Sequence, residues 1–173
     1  IAADSFWSFV SAAMVVTAVV YTEKTLDLGD RAATVYGAIT AIFSLGAVMG
    51  ALLASRVEQR FSRGALLAVG FCGPLLWIPM FLNPPLPVVF GIWFAFGIAD
   101  ALAVVAMQSY LAEAVSDAHR GRVYATWIAC VTTVSMATFA LVGWVTPIFG
   151  PSLTFTVVGI VTGIGGPFLL WVS

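Results

Sequence analysis

Asp100 is the residue whose type and position most clearly predict chemistry, because it lies near the middle of the apolar run FGIADALAVV. If this run crosses a membrane, a charge at its centre costs at least about 2.5 kcal/mol, so the side chain is expected to face a cavity or a partner. One interpretation is a carboxylate that carries a proton or contacts a ligand. The other is a structural aspartate that hydrogen-bonds a neighbouring helix or stays neutral.

The side chains at helical spacing around Asp100 are aromatic or apolar: Trp93, Phe96, Gly97, Val104 and Met107. Rings and a thioether around an acid suit an amphipathic or cationic organic ligand, and they also suit ordinary packing. Gln108 is predicted to close this span, as a polar entrance group or a partner for a backbone group. In the first apolar run, Asp4, Ser8 and Ser11 share a helical face, which could line an aqueous path or bond neighbouring helices.

Two clusters of mixed charge interrupt the apolar chain. The first cluster consists of Arg56, Glu58, Arg60 and Arg63, and the second of Glu113, Asp117, Arg120 and Arg122. Both are predicted to fix topology. They could also form ion pairs with each other, or with a missing half of the protein. Such an ion-pair latch would hold one side of the protein together and break when the protein changes conformation. Exposed ion pairs contribute about 0–1 kcal/mol each, which suits a switch between states of near-equal free energy.

Several function classes lack the residues that they need. His119 is the one histidine, and no Ser/His/Asp or Cys/His set, phosphate-binding glycine loop or pair of mid-span aspartates accompanies it. Cys72 and Cys130 each lie inside an apolar run and are predicted to be small buried hydrophobes. Net charge is -1, with no basic patch for nucleic acid. We therefore predict no enzyme, no catalytic residue, no metal and no cofactor.

The composition predicts that most of the surface contacts lipid. Charged residues make up 9% of the chain, against about 25% in soluble domains. Apolar runs of the length that crosses a bilayer predict an all-α, polytopic membrane protein. The predicted spans are residues 5–21, 32–55, 65–82, 87–111, 123–147 and 152–171. Short connections make consecutive helices antiparallel neighbours.

Small residues mark expected helix contacts. Gly46 and Gly50 lie one turn apart in the second span and form a close-approach motif. The sixth span contains Gly159, Gly163 and Gly166 with Pro167, and is expected to be bent or closely packed.

The orientation follows from Lys and Arg, which favour the cytoplasmic side. The even-numbered connections, which join the second span to the third and the fourth to the fifth, hold five of the seven Lys and Arg residues. The odd-numbered connections hold Lys24 and Arg31. The even connections and both chain ends are therefore predicted to be cytoplasmic. The apolar pattern of the first span has already begun at Phe6, and no signal peptide precedes it. We therefore expect a piece of a longer protein.

Two stretches resemble the major facilitator superfamily of transporters. One is GAVMGALLASRVEQRFSRGALLAVG, residues 46–70, which is similar to the second copy of the superfamily's loop motif. The other is Gln108 at a helix end, followed by HRGRVYA at the next helix start, which resembles the bacterial exporter branch of enterobactin and macrolide efflux proteins. Two features depart from these patterns: Ala54 replaces the loop motif's Asp, and the fifth span lacks a Pro-Leu-Gly step.

The resemblance implies the C-terminal six-helix half of such a transporter, built as a three-plus-three inverted repeat, in a bacterial inner membrane. It places the first and fourth spans, with Ser8, Ser11 and Asp100, beside a central path shared with an N-terminal half. The implied function is export of a small organic molecule by alternating access, coupled to protons. The alternatives are a non-transporting assembly or insertion factor and a half-size protein that acts as a dimer.

Overall fold

In the computed structural model the chain forms a bundle of six helical segments. The structure describes residues 2–26 and 29–172, and their side chains except at 2–5, 63, 117–118 and 166–172. The segments are α1 (Ala2–Val20, continued by a π-helical turn, Tyr21–Thr25), α2 (Ala32–Glu58, preceded by a 3₁₀ turn, Gly29–Arg31), α3 (Arg63–Cys72, continued by a 3₁₀ segment, Gly73–Leu82), α4 (Leu86–Ala114), α5 (Asp117–Phe149) and α6 (Pro151–Val172).

The described segments have the lengths of membrane spans. A crossing helix needs about 20 mostly apolar residues. Within the described residues, five stretches are long and apolar enough: Phe6–Thr25, Gly29–Glu58, Gly64–Leu82, Leu86–Ala114 and His119–Phe149. A shorter apolar stretch, Pro151–Gly165, begins α6, whose helical backbone runs on to Val172. The chain is therefore an all-α, polytopic membrane protein.

The helices pack in two groups that mirror each other. The first helix, α1, packs on α5 and α6, and α4 packs on α2 and α3. If α1, α2 and α3 are matched in order with α4, α5 and α6, the α1–α5 contact corresponds to the α4–α2 contact. The α1–α6 contact likewise corresponds to the α4–α3 contact. This is the contact pattern of a three-plus-three inverted repeat. Contacts of α6 with α3 and its 3₁₀ segment join the two groups.

Glycines allow α2 and α4 to touch along their backbones. A Cβ at Gly46 would meet the carbonyl of Phe94, and a Cβ at Gly50 would lie 2.6 Å from the carbonyl oxygen of Ile98. Gly97 makes the reciprocal approach towards α2. The predicted close-approach motif is confirmed. Because the contacts advance together along both helices, α2 and α4 run parallel, and the two arginine-bearing connections lie at the same end of the bundle.

Close packing also characterises the described part of α6. A Cβ at Gly159 would lie 2.6 Å from the carbonyl oxygen of Pro74, and Gly163 faces the side chain of Leu75. Both contacts are with the 3₁₀ segment, so this part of the prediction for the sixth span is confirmed. Gly166 and Pro167 lie outside the described side chains.

The connection between α4 and α5 is shorter than predicted. Helix α4 continues to Ala114, so Gln108 lies within it and not at its end, and α5 begins at Asp117. Ser116 has an extended backbone (φ -63°, ψ 148°), and its carbonyl accepts hydrogen bonds from the amides of His119 and Arg120. This N-cap geometry starts the helix early. His119 is therefore a helical residue and not a loop residue.

The third span also differs from the prediction of one helix. Its α-helical part ends at Cys72 and continues as 3₁₀ helix to Leu82. Pro74 and Pro79 lie in the second part. Proline lacks an amide hydrogen and its ring clashes with the carbonyl four residues earlier, so an α-helix is disfavoured there. Asn83 ends the segment in the left-handed region, at φ 49° and ψ 59°.

Candidate functional site

Packing on both sides of α4 fixes the direction of Asp100. The preceding residue, Ala99, lies against Gly73 of α3, and the following residue, Ala101, lies against Gly50 of α2. Successive residues of a helix point about 100° apart, so Asp100 points to neither neighbour. Its carboxylate is directed towards α1, where it meets the side chain of Trp7.

The indole of Trp7 is the hydrogen-bond partner of Asp100. Trp7 Nε1 donates to Asp100 Oδ1 across 3.1 Å. The ring lies edge-on to Phe71, with centroids 5.6 Å apart, and is tilted against Phe96 at 6.2 Å. Indole is a donor only, so this arrangement offers the carboxylate a neutral N–H and no counter-charge. Within the described residues, a half-buried aspartate with this partner can hold or release a proton without breaking an ion pair.

Trp7 was not among the residues predicted for the site. It lies at i+3 from Asp4 and i−4 from Ser11, so the polar face predicted for the first span passes through it. That spacing is the signal that could have found it. The contact itself joins residues that are 93 positions apart in the chain, and such a separation leaves no local pattern.

Trp93 and Phe96 lie in an aromatic core. Both are buried, at 3% and 1% exposure. Trp77 lies against both rings, with centroids 6.5 Å from Trp93 and 4.9 Å from Phe96, and Phe155 contacts Trp93 and Trp77. Most of the surface of these two residues is therefore used in ordinary packing, one of the two interpretations of the sequence.

One edge of Trp93 borders a small apolar cavity of about 140 Å³ between α1, α2 and α4. The other lining residues are Met14, Val15, Ala18, Tyr36, Thr40 and Phe43. Thr40 donates its hydroxyl to the carbonyl of Tyr36, so the walls present apolar and aromatic groups. A cavity of this size accepts one ring or a branched alkyl group.

For the remaining residues predicted to contact substrate or protons, a place around Asp100 stays a prediction. Ser8 is buried and has a partner of its own, and Ser11 is half-buried. Met107 is half-buried, and Gln108 is exposed on a later turn of α4. Gly97, which the helical spacing placed on the Asp100 face, instead contacts α2. The structure thus brings together Asp100, Phe96 and Trp7.

Arg120 ties the end of α4 to the start of α5. Its Nη2 donates to the carbonyl of Ala112 at 3.0 Å and to that of Val115 at 3.5 Å. The last carbonyls of a helix have no intrahelical partner, and a cation is favourable beside them. Among the residues predicted for gating or topology, Arg120 therefore has a defined contact, with the backbone of α4. It makes further contacts as well.

The other charged residues lie mostly at the surface. Those with exposed side chains are Arg56, Arg60, Glu113 and Arg122, of which Glu113 has a partner. Glu58 is half-buried, and the side chains of Arg63 and Asp117 are not among those described. The ion-pair latch stays a prediction. Within the described residues, no group of three or more His, Cys, Asp and Glu side chains could hold a metal ion.

The fold and this site define a class of protein: a polytopic helical membrane protein with a carboxylate inside a span, of the kind found in transporters. The family model of the Major Facilitator Superfamily matches residues 5–173, and the chain belongs to that superfamily. Comparisons with curated proteins and with solved structures give no match.

Proposed function

We propose that the chain is the C-terminal six-helix half of an exporter that moves a small amphipathic organic molecule by alternating access, coupled to protons through Asp100. The observation that supports this most is the placement of Asp100. It is a carboxylate in the middle of α4, packed between α2 and α3 and bonded only to a neutral indole within the described residues. Protonation would remove a charge that is costly inside a bilayer and so bias one state over the other.

The packing groups support alternating access. Helices α1 and α4 occupy equivalent positions in the two groups, and each carries part of the site. In transporters of this kind, substrate binds near the midplane between two halves, so a partner half would cover the α1, α2 and α4 side of the bundle. The apolar cavity beside Trp93 faces the same three helices and would accept an aromatic or branched group of the substrate.

The proposal includes the surroundings of the chain. It places the even-numbered connections and both ends of the chain in the bacterial cytoplasm, because five of the seven Lys and Arg residues lie in those connections or in the helix ends beside them. The expected partners are membrane lipid, the small-molecule substrate and an N-terminal six-helix half in the same chain or a dimer.

Replacing Asp100 tests the coupling. We expect Asp100→Asn, in the natural full-length protein reconstituted into liposomes, to lower pH-gradient-driven transport of the dye ethidium by at least tenfold. Asparagine keeps the size and an acceptor oxygen for Trp7, but it cannot exchange a proton. Exchange of labelled for unlabelled ethidium without a gradient should persist, because it needs no net proton movement.

Asp30→Asn is the matched control, because Asp30 is an exposed carboxylate in an odd-numbered connection. Gradient-driven transport that is equal in Asp100→Asn and Asp30→Asn would contradict the role of Asp100. A full-length protein that moves none of a panel of cationic, neutral and anionic amphipathic probes would favour the assembly factor instead.

A further inference from the structure

Trp7 and Asp100 belong to different packing groups. Trp7 lies on α1, which packs on α5 and α6, and Asp100 lies on α4, which packs on α2 and α3. Within the described residues, the backbones of α1 and α4 are not among the helix pairs with extensive contact. The indole therefore reaches across the boundary between the groups, and its hydrogen bond links them.

Two aromatic rings pack against the indole, whose N–H donates to Asp100. Phe71 of α3 lies edge-on to it, at an interplanar angle of 85°, and Phe96 of α4 lies on another side. A fixed donor stabilises an ionised carboxylate more than a neutral carboxyl group, because charge-assisted hydrogen bonds are about twice as strong. Indole itself does not titrate in this range. Of the two partners in this link between α1 and α4, the one whose proton changes its strength is therefore Asp100.

Few other charges can act at this position. From Phe6 to Val20, α1 carries no charged residue, and α6 carries none along its length. The charges of α2 and α3 are Arg56, Glu58 and Arg63, near the arginine-bearing end of the bundle.

Tyr36 also lies on α2, Tyr21, Glu23 and Lys24 lie in the π-helical turn that continues α1, and Asp30 and Arg31 lie in the 3₁₀ turn before α2. The other titratable groups of the helices lie on α3, α4 and α5. On α4 these are Tyr110 and Glu113; on α5 they are Asp117, His119, Arg120, Arg122, Tyr124 and Cys130; and on α3 there is Cys72, whose thiol is directed to the Gly163 carbonyl. Asp4, one turn before Trp7, has a side chain outside those described, so it requires a control of its own.

We propose that Trp7 is the positioning residue that transmits the ionisation of Asp100 to α1. The ionised carboxylate holds α1 against α4 through the indole N–H, and protonation weakens this bond and allows α1 to shift relative to α4, while the contacts of α6 with α3 and its 3₁₀ segment still join the two groups. The place of this link in a transport cycle rests on the proposed function, whereas the link itself does not.

The link is tested by titrating Asp100 without any substrate. In the natural full-length protein in lipid nanodiscs, difference infrared spectroscopy follows the carbonyl band of a protonated carboxylic acid, assigned to Asp100 by its loss in Asp100→Asn. We expect Trp7→Phe to move the midpoint of this titration to higher pH by about one unit, the size expected for one hydrogen bond to a charged group. An unchanged midpoint would overturn the proposal.

Three further variants separate the hydrogen bond from packing. Replacing Trp7 with benzothienylalanine keeps the bicyclic shape and removes the donor, so it should give the same shift even if Trp7→Phe folds poorly. Trp144→Phe, on α5 and 70% exposed, should give none. In an Asp4→Asn background, replacing Trp7 should still move the midpoint of the titration. If the midpoint no longer moves in that background, Asp4 senses the proton and the proposal fails.

The movement is measured with spin labels on α1 and α4. Val19 and Val88 are exposed on these helices, and a nitroxide pair at these positions reports their separation. We expect the distance distribution to change with pH in the wild type and to be the same above and below the midpoint in Trp7→Phe. Equal pH responses in both proteins would overturn the proposal. A shifted infrared midpoint with unaltered transport in Asp100→Asn would instead contradict only the proposed function.

Discussion

Helices α4 and α5 are both long apolar spans, yet they are held in opposite ways. Along α4, nine residues are buried, and glycines of α2 and α3 bring their backbones against it on two sides. Among the described side chains of α5, the buried ones are Thr138, Val142 and Thr146, and most of the others are exposed. Similar hydropathy therefore accompanies very different packing.

The difference teaches what fixes a residue inside a membrane. Lipid is as apolar as leucine, so burying an apolar side chain in the bundle gains little, and close packing decides how firmly a helix is held. Helix α4 carries Asp100 and is packed tightly enough to determine where the carboxylate points. Helix α5 leaves a long surface for lipid or for another protein, and substitutions there should cost little.

The largest expected contrast is between two phenylalanines. Phe96 of α4 is 1% exposed and contacts the rings of Trp7, Phe43 and Trp77, whereas Phe139 of α5 is 44% exposed. We expect Phe96→Ala to lower the free energy of unfolding by about 3 kcal/mol, because it leaves a cavity that these rings cannot fill. Phe139→Ala should lower it by less than about 1 kcal/mol. Unfolding in denaturant-containing micelles measures both, and equal losses would contradict the contrast.

A smaller loss is expected from adding one methyl group to Gly97. The new Cβ would meet the backbone carbonyl of Phe43, which cannot move as a side chain can. We expect Gly97→Ala to lower the free energy of unfolding by about 2 kcal/mol, as overpacking does. Gly91→Ala on the same helix and Gly143→Ala on α5 meet nothing within 4 Å and should be neutral or stabilising. Similar melting temperatures for all three variants would show that α2 and α4 are not in backbone contact.

The sequence predicted some of these features and not others, for identifiable reasons. Apolar runs and the Gly46/Gly50 spacing are local patterns, and the structure has helices in the predicted regions and the close approach of α2 to α4. Asp100 was conspicuous because a charge in an apolar run is a local signal as well. Its partner Trp7, and Gly97 as a contact of α2, depend on helices brought together by folding.

The helix ends around Arg120 were predicted wrongly for another reason. Charge and glycine at residues 113–122 are typical of a loop, but helix propensity is high for Arg and the Ser116 cap starts α5 within this stretch. The role of Arg120 then depends on where α4 ends, which the sequence placed too early. Its hydrogen bonds join the firmly packed helix to the exposed one.

The smallest expected effect concerns this joint. We expect Arg120→Ala to lower the free energy of unfolding by about 1 kcal/mol, because the last carbonyls of α4 lose a charged donor. Arg120→Lys should recover part of the loss, since lysine keeps the charge but lacks the planar fork. Arg122→Ala, exposed on the next part of the same helix, is the control and should change the free energy by no more than about 0.5 kcal/mol.

Hydrogen exchange at the amides of residues 115–120 locates the effect, because the α5 N-terminus should open more readily only in Arg120→Ala. Equal exchange in the Arg120 and Arg122 variants would mean that α5 is joined to α4 by chain connection alone. Faster exchange that stays within the first turns of α5 and leaves α4 protected would confirm that the two helices are held independently. In that case the packing that positions Asp100 on α4 does not depend on the first turns of α5.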